Sequence, residues 1–526
     1  AIFSNVEDRV RVLGSNNLIG GAQFQSVNAI FANGRGVWLD NIGSEGNLVE
    51  GNSISGNLGE GVRITGSNNV VGGLTASKVN LLNANERGVF LSGARASGNK
   101  IQGNLIGVFL DDQGRTLANG NRREGVRIEN ASGNIVGGSA AGSRNIISAN
   151  NLTDLDGFGN PALSGGVVIT GAGAFNNVVA GNYIGTDAQG SDRVIDIRGQ
   201  LIGNNLSGVV IDNASDNRVG GTQSLEGNII SNNRRDGVRI TGQAATRNLV
   251  QANFIGTNVS GSLDTGNTLA GVVIADSAGN TIGGTIASAA NLISGNQVGV
   301  RIEGLTASNN VVQGNRIGTN ATGATALGNA QDGVLILNAP NNLIGGTPST
   351  ARNTVSGNLV GIHLSGAGAT GNVVAGNFVG LGSDGVSVIG NSTEGVLVDA
   401  GASRNTIGGA VAAAGNSIAN NAGAGVRVDG AGSLGNSILS NLITSNGLLG
   451  IQLTAGGNAG QTAPFLTSAL AEGANVTVTG VLNSLANSSF RIQFFASASA
   501  DPSGFGEGER FLAETTITTD GLGLGP

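Results

Sequence analysis

Short runs in which apolar and polar residues alternate recur along this chain, and the three-and-four spacing of an amphipathic helix is sustained nowhere. The clearest run is a tetrad of the form GVxI, beginning at Gly36, Gly61, Gly88, Gly125, Gly166, Gly208, Gly237, Gly271, Gly299, Gly333, Gly361, Gly395, Gly425 and Gly450, with a degenerate copy at Arg9 to Val12. Val238 and Ile240 around Arg239 show the period of two that marks a half-buried strand. Two further signatures lie between tetrads: NxIGG or GNxIGT, as at Asn280 to Gly284 and Gly314 to Thr319, and NxIS followed by GN, as at Asn291 to Asn296. Each repeat therefore predicts three short strands joined by Gly and Asn corners. From Gly237 to Gly395 the tetrad spacing alternates 34, 28, 34, 28, 34, so the duplicated unit is a pair of unequal turns totalling 62 residues.

A coil of three brief strands per turn, each bonded to the turns above and below, buries Val and Ile inside. Asn at fixed points tolerates a left-handed corner and bonds the equivalent Asn one turn away. Gly before each VxI marks a corner needing positive φ or close backbone approach. About fifteen turns stacked at ~4.8 Å give a rod roughly 70 Å long.

Composition supports a repeat array over several globular domains: 93 Gly, 6 Pro and only 12% charged residues in 526. The net charge of −7 is mild and interspersed, so no basic stripe is present and nucleic acid is not an expected partner. Cys and Met are both absent, which excludes a disulfide framework and a Cys-ligated metal. No stretch of eighteen apolar residues exists, so no transmembrane segment is expected. His363 is the only histidine and sits at the variable position of a tetrad, where a structural role is expected before a catalytic one.

The NxIGG, GNxIGT and GVxI repeats resemble those of bacterial right-handed parallel β-helix repeat proteins of the secreted and surface type. The resemblance covers residues 1 to about 460. It implies an all-β fold, a right-handed parallel β-helix over 1–460, in a superfamily that holds polysaccharide lyases and hydrolases, phage tailspikes and adhesins. After Gly450 the tetrads stop, and alternating runs at Val476 to Val481, Phe490 to Phe495 and Phe511 to Thr518 predict a small antiparallel β module over 461–526. It resembles an incomplete β-sandwich. With no leader and no capping helix before Ala1, an upstream segment or a head-to-tail contact is expected, and self-association through the helix ends and the C-terminal module with it.

The turns beginning at Gly88, Gly125 and Gly166 are the longest, and their loops, residues 108–207, hold the richest charge cluster: Asp111, Asp112, Arg115, Arg122, Arg123, Glu124, Asp154, Asp156, Asp187, Asp192, Arg193, Asp196 and Arg198. Asp111, Asp154 and Asp187 are the candidate carboxyls for glycoside hydrolysis, and Arg122 or Arg123 the candidate base for a lyase. Thr153 to Asn160 places Asp154, Asp156 and Asn160 on a Gly-punctuated turn with oxygen ligands suited to calcium. Asp501 to Glu509 is a similar acidic loop. No cofactor is required. Arg also recurs at the tetrad centre (Arg11, Arg63, Arg127, Arg239, Arg301, Arg427), where it forms either a solvated face or a contact surface.

Uniform repeats and sparse aromatics (one Trp, one Tyr, 15 Phe) lead to the expectation of a non-catalytic extracellular or cell-surface structural or adhesive protein, a building block of a fibre or surface layer. The alternative is a polysaccharide-binding or -cleaving β-helix enzyme with its site at the long loops 108–207. An ice-binding face would need a regular Thr array, and the outward tetrad positions are mixed instead.

Overall fold

A computed structural model describes residues 2–3, 8–21, 28–40, 43–152, 163–196, 198–473, 475–499 and 504–525. Among these the chain winds as a right-handed β-helix with three long parallel sheets of 15, 15 and 14 strands, and the helical elements are single 3-10 turns. In each turn the chain crosses sheet A with a strand of two to four residues, sheet B with the GVxI strand and sheet C with the NxIGG strand. Leu292 and Ile293, then Val298–Glu303, then Val311–Gln313 make up one such circuit.

Register is in step from turn to turn. Val272, Val300, Val334 and Ile362 stack in sheet B, as do Ile274, Ile302, Ile336 and Leu364 two residues on. These columns point inward and are fully buried, so one apolar core runs along the axis. Intervening residues point outward, which is the alternation seen in the sequence. The Gly opening each tetrad is required by close approach: a Cβ on Gly299 would sit 2.4 Å from the carbonyl oxygen of Gly333 on the next turn.

Each of the three corners carries its own Asn ladder. At the corner between sheets C and A, the backbone N–H and Nδ2 of Asn52 both donate to Oδ1 of Asn80, at 3.0 and 3.1 Å. Asn80 Nδ2 in turn donates to Oδ1 of Asn104 and to the Val49 carbonyl of the turn below. Asn57 and Asn85 belong to a second ladder between A and B, and Asn69 and Asn99 to a third between B and C. Because an unpaired buried amide costs about 1–3 kcal/mol, a ladder is stable only as an unbroken column.

Beyond the last sheet-B strand (Ile451–Thr454) two antiparallel hairpins follow, Phe465–Glu472 with Asn475–Asn483 and Ser489–Ala496 with Arg510–Thr518. The second lies on the final turn. Gln493 Oε1 accepts from Ser440 N at 2.8 Å, the Gly508 carbonyl accepts from Ile443 N at 2.9 Å, and Glu507 Oε1 accepts from Asn446 Nδ2 at 3.0 Å. Glu507 thus takes the place of the next rung in the A–B ladder. Among the described residues no helix is long and apolar enough to cross a membrane.

Candidate functional site

Of the long loops 108–207, two described hairpins fold down over the outer face of sheet A. Val108–Leu110 pairs antiparallel with Thr116–Ala118, and Val194–Ile195 with Leu201–Ile202, and the two hairpins join side by side through Leu117 and Ile195. Beneath them Val108 and Val194 pack on Ile146, Tyr183 and Ile229, outward residues of sheet A.

Among the described residues of these loops, Asp111, Asp187, Asp192 and Asp196 are held within their own turns. Asp111 accepts from the backbone of Gln113 and Arg115 and from Arg115 Nε at 2.7 Å, which lowers its pKa. Asp187 accepts from Ser191, Asp192 from Arg193 N, and Asp196 from the backbone of Arg198 and Gln200. Glu124 is fully buried: burial raises its pKa, and Arg87 at 2.7 Å, Arg127 at 3.1 Å and Arg123 at 3.8 Å outweigh that and lower it. Arg123 is thereby part of an ion cluster. The candidate calcium ligands Asp154, Asp156 and Asn160 lie outside the described residues, as does Asp501; among the described residues no cluster of three acidic or His side chains suited to a metal occurs.

On the outer face of sheet B the Arg stripe is paired with neighbouring carboxylates. Arg11 bonds Asp40, Arg239 lies 3.3 Å from Asp236, and Arg427 lies 3.0 Å from Glu394. Trp38 is sandwiched, with guanidinium carbons of Arg11 and Arg63 at 4.4 and 5.8 Å from its ring centre. His363 stands between two turns, Nδ1 3.1 Å from Asp332 Oδ1 and Nε2 3.1 Å from Asp399 Oδ1. Burial lowers its pKa, but the hydrogen bonds to both carboxylates prevail and raise it to about 9. Each ring nitrogen faces a carboxylate oxygen, so the cluster is suited to holding a positive charge.

Sheet A differs in being flanked by two ridges. After its strands come compact hairpins that stack every second turn: Val259 N donates to the Gly190 carbonyl, Ala321 N to that of Gly261 and Ser383 N to that of Gly323, at 2.8–2.9 Å. The tip glycines Gly190, Gly261 and Gly385 press on Tyr183, Phe254 and Phe378, leaving a Cβ only 2.7–3.1 Å from the rings. Before the strands come 3-10 turns at Ala287–Ala289 and Ser349–Ala351. Between the ridges a cavity of about 230 Å³ opens onto Arg316, Thr354 and Phe378 of the sheet, Arg352 and Thr350 from one side and Ser383 from the other. The guanidinium carbon of Arg352 lies over Phe378, 4.0 Å from the ring centre, and its Nε donates to the Gly376 carbonyl at 2.9 Å. Sequence reasoning passed over these residues because charge density directed it to the loops. The signal available was Arg at position 316, where the units on either side carry Phe254 and Phe378, close to Arg352, whose counterpart two units earlier is Arg144.

Residues 2–164 match a family described as a protein of unknown function (DUF1565). No curated protein matches. Similar solved structures include the periplasmic alginate epimerase AlgG, at 14% identity over 81% of this chain and 76% of that one with a TM-score of 0.34. The Dettilon tailspike protein is 14% identical over 91% and 84% (TM-score 0.39). The mannuronan C-5 epimerase A-module from Azotobacter vinelandii is 15% identical over 86% and 87% (TM-score 0.29). The likeness is one of fold. The expectation that the chain is not an enzyme is corrected: it took uniform repeats as a mark of a structural role, and the similar structures include proteins named as epimerases. What the repeats establish is architecture: the chain is a right-handed parallel β-helix repeat protein.

Proposed function

We infer that the protein is a polysaccharide-binding or -modifying β-helix, and that it takes the glycan along the outer face of sheet A. The cavity between the two ridges carries this reading. Aromatic surface, guanidinium groups and hydroxyls converge there on a concave face, the combination that recognises a polar ring bearing one apolar side. On the described sheet-B face, by contrast, cations and carboxylates are paired laterally and Trp38 is covered by Arg11 and Arg63. Among the described residues of 108–207, Val108 and Val194 of the two hairpins pack against sheet A, so the cavity at Arg316 and Arg352 is the more open of the two surfaces. Such a protein works where polysaccharide is, outside the cytoplasm, which fractionation of the producing cell would test.

The decisive assay is affinity electrophoresis against a panel of polysaccharides, followed by mass spectrometry and NMR of the polymers after incubation. Retardation by at least one polymer is expected, and a change in its length or stereochemistry would identify modification. Neither retardation nor any product across neutral and acidic polymers would overturn the reading.

A further inference from the structure

We propose that the cavity at Arg316 and Arg352 binds an anionic substituent, a carboxylate or sulfate, on the glycan that the preceding reading places along sheet A.

The repeat itself provides the control. Duplication of the 62-residue unit places Phe254, Ala290, Leu292 and Ala321 at the positions of Arg316, Arg352, Thr354 and Ser383. The apolar set packs as part of the scaffold: Leu292 is buried in the sheet-A row that runs on to Arg316, and Phe254 packs against the apolar cluster beside it. One unit later the same backbone presents two guanidinium groups and two hydroxyls. The β-helix does not demand the set, since the immediately preceding unit forms without it; of the four only Arg352 has an earlier counterpart, Arg144, which lies over Tyr183 as Arg352 lies over Phe378, whereas Arg316 has none.

Neither cation is neutralised. Among the described residues no carboxylate lies within ion-pair distance of Arg316 or Arg352, whereas most Arg of sheet B have one. Arg316 Nε is buried with no hydrogen-bond partner among the described residues. Arg352 is half-buried, with its pKa lowered by burial. Cations drawn partly out of water without counter-charge in a chain of net charge −7 leave a local demand that an anion would meet. The hydroxyls of Thr354 and Ser383, 3.1 Å apart, stand beside the guanidinium groups as neutral donors or acceptors. Phe378, with one face under Arg352, fixes that guanidinium in place.

The test uses the full chain and two variants that restore the residues of the preceding unit, Arg316→Phe and Arg352→Ala, so that folding is safeguarded by a sequence the fold already accepts. Binding is measured by calorimetry to a polyuronate, a sulfated polysaccharide and a neutral glucan, at low and high salt. Affinity for one of the two acidic polymers is expected, weakening with salt and falling about tenfold to a hundredfold in each variant with melting unchanged. Which acidic polymer binds distinguishes carboxylate from sulfate. Equal binding of the neutral glucan, indifferent to both substitutions, would sink the anionic site and leave the glycan reading standing. Failure of all three polymers to bind would overturn both.

Discussion

His363 shows how a single side chain acquires its role from register. Its column in sheet B continues through Leu335 below and Leu397 above, yet its ring nitrogens reach Asp332 and Asp399, which belong to the two flanking columns. The folded-state pKa of about 9 exceeds the ordinary 6.5, so the stabilisation is fully present below pH 6.5 and is lost as pH rises through 9. Asp399 adds an acid limb: burial raises its pKa, the bonds from His363 and Ser365 prevail and lower it, and that contribution fades as pH falls below the ordinary carboxylate range. Urea midpoints should therefore drop between pH 6 and pH 10 by the equivalent of about 2–3 kcal/mol, and His363→Leu should abolish that slope. A wild-type midpoint that stays level across this interval would refute the pairing. The sequence placed His363 on the outer face correctly and anticipated a structural role. It did not reveal the partners, because Asp332 precedes His363 by 31 residues and only the turn-to-turn register makes them neighbours. The same holds for the tetrad arginines, whose solvated-face alternative fits the lateral pairs now seen.

At the scale of elements the strands were the most legible part, since inward columns of Val and Ile and corner Asn leave a period that survives variable turn length. In the sequence the hairpins showed only as charged loops around a candidate site. Their logic is local: an Asp or Asn three residues before a tip glycine accepts from the turn's own donors, as Asp111 with Gly114, Asp187 with Gly190, Asn258 with Gly261 and Asn320 with Gly323. That recurrence was present in the sequence and identifies Asx turns, which use up the carboxylates as acceptors. Gly385 has φ +72°, and a Cβ there would lie 2.7 Å from Phe378 Cζ. Gly385→Val should cost about 1–3 kcal/mol in the hairpin alone. Hydrogen exchange should quicken at Gly382 and Ile389, whose amides close the hairpin, while the sheet-B amides of Val396 and Val398 keep their protection. Unchanged exchange at Gly382 would show that the hairpin is not seated on the ring.

For the whole molecule, a stack of sheets presents unpaired donors and acceptors at an open end, and an open end recruits another strand or another copy. The C-terminal hairpin answers this at the last turn by imitating the repeat: Glu507 receives both Asn446 donors, Gln493 receives the Ser440 amide, and the Gly508 carbonyl receives that of Ile443. The acidic loop that suggested a cation from sequence thus holds a carboxylate directed at an Asn ladder, and Glu509 accepts from Ala498 N. Nothing in the composition of residues 501–509 distinguishes a ladder terminus from a metal loop, because both need oxygen acceptors on a Gly-rich turn. Self-association through this end, which the repeat pattern led us to expect, would then be a property of the uncovered turn. The double substitution Glu507→Ala and Gln493→Ala removes two of the acceptors and leaves the strand pairs of the hairpin in place. Light scattering should show its mass rising with concentration above that of the unsubstituted chain, with faster exchange at Ser440 and Asn446. If mass and exchange are the same in both proteins, the end is held shut without these two acceptors, the Gly508–Ile443 bond among what remains, and association, where it occurs, must use another surface.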